Sequence, residues 1–532
     1  MINRLAGRLL LTCVAQLAHV PAAAQSVAPA GANPPTEPAP SRNRTAADAE
    51  PSGRTTAEGL LMFDYQLVPV RNDQSVDLLG FHVMTKVNDW MYLGIGGHTP
   101  LFSGQYGGFM VFDAIAHAQR KLFGNVFANA GVALGGGGGG QSVAQSRVIS
   151  GTGGFIKAYA GIGYDFKDFS VGANLSKVKF TDSSINHSQL GLYVQVPFSY
   201  QTASFTRAGT AIEPTDQSDS DGSAPGENML TLGVDTLMQI DPTGANKSTI
   251  GVGDLQFSHF MTKDSYWFFN AGAGYRGRPL YNQVFGGIGY RKRLAPQLSL
   301  YGQLAVGSGG YAPEVIDTGP GLLIYPKLSA EYLLTDNLGV TLSAGYLFAP
   351  RGTSKNYTVG AALNYHIHSG FAGPGGGRSA AGGVYSGYRF HLFQQTEFNV
   401  RFRNENQSTL KMLSIQMDKI VNDHVYIPLQ VSGSYGEYLG YPGYGELVAG
   451  VGLQSRLRRG ERFQYFGQLL LGANVHGPII KTGIGLNYSL GDRLAVYAQA
   501  GQTMARVGGV REKFKADSVG VGVTYRFSVP SW

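Results

Sequence analysis

Residues 481–497 read KTGIGLNYSLGDRLAVY: two strand-like runs around a short polar turn, Ser489-Leu490-Gly491-Asp492. The same hairpin stands twice earlier, as KLSAEYLLTDNLGV at 327–340 and KAYAGIGYDFKDFSV at 157–171. In each copy a Tyr precedes an Asp by four positions: Tyr164 and Asp168, Tyr332 and Asp336, Tyr488 and Asp492. Further matches keep the same order. Tyr301-Gly302-Gln303-Leu304 answers Phe466-Gly467-Gln468-Leu469, and a Met-x-Lys turn recurs at Met84, Met261 and Met417. The chain is read as one unit of about 150–160 residues used three times.

Composition narrows the class. Of 532 residues, 76 are Gly, 28 Phe and 29 Tyr, while only 14% are charged. Gly is poor in helices but is tolerated at bends and bulges of strands, so this balance suits a β-protein with one apolar and one polar face. The net charge of +7 could suggest nucleic acid. The basic groups, however, sit beside turns (Arg120-Lys121, Arg291-Lys292-Arg293, Arg456 to Arg459) and do not form one aromatic-interleaved surface. Nucleic acid is therefore not expected as a partner; solvated turns are the simpler reading.

The first 24 residues have the form of a secretory signal. Arg4 and Arg8 precede a short apolar run, and a small-residue site ends at Ala24. The one cysteine, Cys13, lies within it, so an exported chain without disulfides or thiolate metal sites is expected. No stretch offers 18 or more uninterrupted apolar residues for a spanning helix. Export, abundant Gly and aromatics, and absent cysteine together point to the bacterial outer membrane and an antiparallel transmembrane β-barrel.

The expected organisation is a signal peptide at 1–24 and a disordered periplasmic lead at 25–58. Barrel unit one follows at 59–200, a linker at 201–228, unit two at 229–368, a linker at 369–380 and unit three at 381–532. In unit one, eight strands are predicted at 60–70, 76–87, 90–97, 107–122, 126–134, 154–166, 169–180 and 189–200. Tight turns alternate with longer polar or Gly-rich loops, the asymmetry of outer-membrane barrels. Gly135–Gly140, Gly307–Gly310 and Gly472–Gly477 read as outer loops. Alternation is clear in 463–476 and in 519–527, where Val519, Val521, Val523, Tyr525 and Phe527 share one face. Tyr and Trp near strand ends would form an interfacial girdle.

The last strand resembles the C-terminal strand of bacterial outer-membrane proteins, with alternating apolar residues and a final aromatic. Tyr525 and Phe527 match that pattern, and Trp532 ends the chain slightly displaced from the usual place. The resemblance implies recognition by the barrel-assembly machinery; it covers about ten residues and is generic to the class. Outer-membrane lipid and lipopolysaccharide are the other partners expected. Three tandem eight-stranded barrels are preferred to one barrel of about 24 strands, because the linkers are long and each unit has its own closing strand.

Chemistry is sparse. His187 and Ser188 are adjacent in an expected outer loop, so on a strand they would face opposite ways. Asp113 and His117 share a strand face and read as lumen packing. Lys157, Lys327 and Lys481 recur near the start of the sixth strand and read as lumen charges, with Glu331 or Glu446 as expected acids. No catalytic residue, cofactor or metal cluster is predicted. The expected role is non-enzymatic: structural, surface-interacting, or accessory to envelope assembly or exopolysaccharide export. The alternative is a porin-like channel for small solutes or polymer through one large barrel, and a lipid-modifying enzyme ranks third.

Overall fold

A computed structural model describes residues 54–531 apart from 139–148, 150, 212–226, 241–248, 278–280, 311–315, 368–383, 403–404, 441–442, 457–460 and 508–511. The expected signal peptide, most of the lead, the 369–380 linker and Trp532 lie outside the described residues.

The first unit has β1 (Arg54–Val68), β2 (Val76–Asn88), β3 (Met91–Thr99), β4 (Met110–Phe123), β5 (Val126–Gly138), β6 (Gly154–Asp165), β7 (Ser170–Phe180) and β8 (Asn186–Ala203). The second has β9 (Asn228–Gln239), β10 (Ile250–Phe260), β11 (Ser265–Arg276), β12 (Asn282–Ala295), β13 (Leu298–Gly310), β14 (Leu322–Leu333), β15 (Leu338–Phe348) and β16 (Lys355–Ile367). The third has β17 (Val384–Phe402), β18 (Glu405–Ile420), β19 (Val425–Ser434), β20 (Gly445–Gln454), β21 (Phe463–Asn474), β22 (Gly477–Ser489), β23 (Leu494–Val507) and β24 (Glu512–Ser531). Each strand pairs antiparallel with its neighbour in sequence, and β1–β8, β9–β16 and β17–β24 close the three rings. The chain is three tandem barrels of eight strands; the barrel of about 24 strands is not formed. Among the described residues, the one strand pairing between the first and third barrels is Ser528 opposite Ala203.

All eight strands predicted in unit one are present. β1 starts earlier than expected, at Arg54, inside the stretch read as disordered lead. β24 runs on through Ser528–Ser531, paired to β17, where the sequence reading had placed a tail beyond the strand. Two-residue alternation decides which side chains go in. Leu190, Leu328 and Ile484 point outward and are 69%, 70% and 71% exposed, whereas Arg389 and Arg526 point inward and are each 1% exposed. Burying one such Leu is worth about 1.5–3 kcal/mol, so an exterior of this kind is stable against acyl chains and unstable against water. Tyr164 and Tyr332 are exposed at the short-turn end, and Asp168, Asp336 and Asp492 sit in the exposed β6–β7, β14–β15 and β22–β23 turns.

In the runs read as outer loops the described glycines prove to be strand, while 139–140 lie outside the described residues and 475–476 form a turn. Gly135–Gly138 end β5 and Gly307–Gly310 end β13, while Gly472 lies in β21 and Gly477 opens β22. Their reason is close approach. A Cβ on Gly136 would stand 2.3 Å from the Ser434 carbonyl oxygen and the Tyr435 Cα of the third barrel. Other inter-barrel contacts are Phe81 stacked on Phe269 with centroids 4.7 Å apart, and Lys419 Nζ donating to the Tyr365 hydroxyl at 3.4 Å. The outer connections of barrels one and two also interlock. Gly107 N–H donates to Gly319 O at 2.9 Å, Asn282 Nδ2 to Gly108 O at 2.8 Å, and Ser308 Oγ to Pro100 O at 2.6 Å. After β8 the linker makes one 3-10 turn, Phe205–Arg207, and pairs with Tyr385 at the start of β17 through Gly209 N–H and Thr210 O.

Gly136→Val is expected to separate barrels one and three and to lower the thermal midpoint of the folded, gel-shifted form by several degrees. Gly286→Val, with nothing within 4 Å of a Cβ, is expected to leave it unchanged.

Candidate functional site in the barrel lumens

An eight-stranded ring leaves room for side chains and little else. Small and polar residues on the inward face of each strand therefore meet at the axis, where unpaired polar groups are costly. The sequence meets this demand with charged pairs and amide networks in each barrel.

In barrel one, Lys157 on β6 is buried and bonds Asp64 on β1, across the lumen. Around this pair lie His82, His98 and Asp113 from β2, β3 and β4. His82 Nε2 and His98 Nδ1 each contact one oxygen of Asp113 at 2.9 Å, and Lys157 Nζ is 3.3 Å from His98 Nε2. Towards the short-turn end, His117 bonds the Tyr159 hydroxyl at 2.7 Å and approaches Gln119 and Gln195 at 3.3 Å. A cavity of about 150 Å³ then opens at the mouth, lined by Asp89, Tyr92, Gln119, Lys121, Asn125, Phe127 and Asp165. The outer end is closed by buried apolar side chains, among them Val70, Tyr106, Phe109, Ile149 and Ile185.

Barrel two repeats the pairing with other partners. Lys327 on β14 donates to Asp235 on β9 at 2.9 Å, and Tyr325 donates to the same carboxylate at 2.9 Å. The acid expected for this lysine, Glu331, instead bonds His366 at 2.9 Å, Asn364 at 2.6 Å and Tyr301 at 2.5 Å. Glu331 lies four residues from Lys327 on the same strand, about 13 Å along it, whereas Asp235 faces Lys327 from β9. At the mouth, Glu227 receives both Arg291 terminal nitrogens, at 2.7 and 2.8 Å, and contacts His366 Nδ1 at 2.8 Å. Arg291, read from sequence as a solvated turn residue, is thus 5% exposed. Burial alone would raise the Glu227 carboxyl, but the His366 and Arg291 hydrogen bonds outweigh it and bring it to about 2.

In barrel three, Lys481 on β22 donates to Glu446 on β20 at 2.6 Å and to Gln395 on β17 at 3.0 Å. Glu397, Thr503, Tyr444 and Asn474 complete this layer. Below it, Arg389 pairs with Asp418 at 2.8 Å and His391 contacts the same oxygen at 2.9 Å.

The remaining sequence candidates do not assemble into a site. His187 and Ser188 are on β8, opposite Val178 and Lys177, and not in a loop. Asp113 and His117 both face the lumen but serve separate layers. Tyr525 and Phe527 lie on β24, where Phe527 stacks on Tyr388 at 5.8 Å. The grouping of His82, His98 and Asp113 escaped the sequence reading, because each stands alone on its own strand and no motif spans three strands. Inward-facing His on consecutive strands was the available signal.

Closed eight-stranded antiparallel rings, apolar outside and polar within, define the class: this is a β-barrel protein of the bacterial outer membrane. No known family model matches the chain. No curated protein matches it either. Among solved structures it is similar to outer membrane protein Ail of Yersinia pestis, at 15% identity over 27% of this chain and 99% of that one, TM-score 0.20. It is also similar to OccAB3 of Acinetobacter baumannii, at 12% identity over 89% and 99%, TM-score 0.20. A third is the KdgM porin, at 11% identity over 56% and 98%, TM-score 0.14. Likenesses of this degree say nothing of function.

Two outcomes follow from the lumen contacts. Lys481→Met strands Glu446 without its cation and is expected to cost about 3–5 kcal/mol of unfolding free energy, most of it regained in Lys481→Met/Glu446→Gln; reversible urea unfolding into lipid vesicles measures both. The Glu227 pairing contributes fully above the ordinary Glu value near 4.5 and is lost as pH falls through about 2. Glu227→Gln should therefore be less stable than wild type at neutral pH, with the difference closing between those two values.

Proposed function

We propose that this chain is a non-enzymatic outer-membrane protein that acts through its outer surface, in a structural, surface-binding or envelope-accessory role. One observation carries this reading: each lumen is crossed by a lysine bonded to carboxylate, Lys157 at 1% exposure, Lys481 at 3% and Lys327, half-buried, at 16%. Sealed lumens leave the outer face to do the work, and that face is held in shape. Asp77 accepts backbone N–H bonds from Phe102 at 2.8 Å and Ser103 at 2.9 Å, and Arg351 of barrel two donates to Phe102 O at 2.5 Å. The partners that go with this reading are outer-membrane lipid and lipopolysaccharide around the barrels, and the assembly machinery at Tyr525 and Phe527.

A second reading, a porin-like channel, is favoured by the polar lining of the lumens. Gln416, Gln468 and Gln499 form an amide chain between the two charged layers of barrel three. In this fold such a path would run through three narrow lumens, and not through one wide barrel. Planar-bilayer recording separates the readings. The surface role predicts no stable steps from the purified protein, and none from Lys481→Gln. Stable steps in wild type that grow in Lys481→Gln would establish the channel and overturn the first reading.

A further inference from the structure

We propose that the lumen of barrel one is a divalent transition-metal site, with His82 Nδ1, His98 Nε2 and Asp64 Oδ1 as ligands. His82, His98 and Asp113 bring donor atoms within 4.8 Å of one another at full burial. The hydrogen bonds show which atoms are left for a metal. A carboxylate only accepts, so His82 uses its Nε2–H and His98 its Nδ1–H to bond Asp113. The opposite nitrogens then carry lone pairs, and both face Asp64. His82 Nδ1 and His98 Nε2 each stand 3.8 Å from Asp64 Oδ1. His82 Nδ1 and Asp64 Oδ1 are buried without any hydrogen-bond partner. Two acceptors facing one another, with Lys157 held on the other oxygen of Asp64, leave a place for a cation.

The spacing fits one. Tetrahedral metal–ligand bonds of about 2.0–2.2 Å put two ligands of one ion roughly 3.3–3.6 Å apart, so the two 3.8 Å spacings close by a few tenths of an ångström on binding. Asp113 supplies the carboxylate that orients metal-binding imidazoles from behind, here for both rings at once. Charge agrees as well: Asp64 and Asp113 are balanced by Lys157 alone, so with neutral imidazoles the cluster carries an excess negative charge. Lys157 reaches the same three-atom space, at 3.3 Å from His98 Nε2, and so competes with the metal. The mouth cavity at the short-turn end carries the Asp89 and Asp165 carboxylates, and Gln119 on its wall contacts His117. Two imidazoles and one carboxylate are a ligand set suited to zinc and its neighbours, not to calcium or magnesium.

The test uses the full chain, chelated, refolded in detergent and titrated with Co²⁺. The expected result is one Co²⁺ per chain with the strong visible bands of a four-coordinate ion, displaced by Zn²⁺. Asp64→Asn, His82→Gln and His98→Gln should each weaken binding at least tenfold, and Asp113→Asn by about 10–100-fold with the band positions kept. His391→Gln, in the third barrel, should bind as wild type. Heat-modifiable gel mobility establishes that each variant is folded. Lys157→Met should bind more tightly than wild type, a gain that misfolding does not produce. A folded wild type that takes up no Co²⁺ overturns the proposal, and so does uptake unchanged in folded His82→Gln and His98→Gln.

Discussion

A lysine in each lumen, bonded to carboxylate, is the constraint around which the rest of the molecule is arranged. An eight-stranded ring must fill its axis with side chains, and its alternation gives the outside to lipid. What fills the axis must then be polar enough to leave the exterior as the only apolar face, yet fully paired. Lys157 with Asp64 and Lys327 with Asp235 meet this by tying the sixth strand of a ring to its first. Lys481 reaches both Glu446 on the fourth strand and Gln395 on the first. Such contacts join strands that no ladder connects, so they fix the cross-section of the ring as well as its content. Removing one partner is costly because the other stays buried; removing both need not be. The pairs are for this reason better evidence of specificity in ring geometry than of net stability.

The same demand explains the glycines. A chain that carries three filled barrels side by side must bring their walls together, and the walls meet near the long-loop ends. Gly107, Gly136 and Gly310 stand where a Cβ would run into the neighbouring barrel. Arg351 reaches Phe102 across the seam between barrels one and two. The short-turn ends are occupied differently, by polar mouths such as the Arg291–Glu227–His366 group and the cavity at Asp89 and Asp165.

What the sequence discloses follows from which forces act locally. Strand positions were legible, since two-residue alternation and turn residues are local properties. The threefold repeat is legible from the Tyr and Asp marks, an aromatic at the short-turn end, exposed at Tyr164 and Tyr332 and half-buried at Tyr488, and a turn residue. The lysines were legible as recurring inward charges, but the choice of acid was not fully so. Glu446 does meet Lys481, whereas Lys327 passes over Glu331 on its own strand for Asp235 on the far wall. Pairing across a lumen depends on shear and tilt, which leave no mark in one strand's pattern. The glycine runs were read as loops for a related reason: nothing within a strand says that another barrel lies against it.

The cluster of His82, His98 and Asp113 shows the same limit at the level of a site. A barrel places residues from consecutive strands at one height, so a constellation can be assembled from one inward residue per strand. Each alone looks like a buried polar residue of the lumen. Barrels two and three build their charged layers from the same kinds of residue, yet there the histidines are fully engaged: His366 between Glu227 and Glu331, His391 between Asp418 and Thr524. Among the described residues, only in barrel one do a ring nitrogen and a carboxylate oxygen, those of His82 and Asp64, face each other unpaired. One scaffold used three times thus holds His366 and His391 through both ring nitrogens in two of its lumens and leaves His82 Nδ1 in the first without a partner. Within a repeat, that difference in how a buried histidine is paired, and not the features shared by all three copies, is where a function specific to one barrel is to be sought.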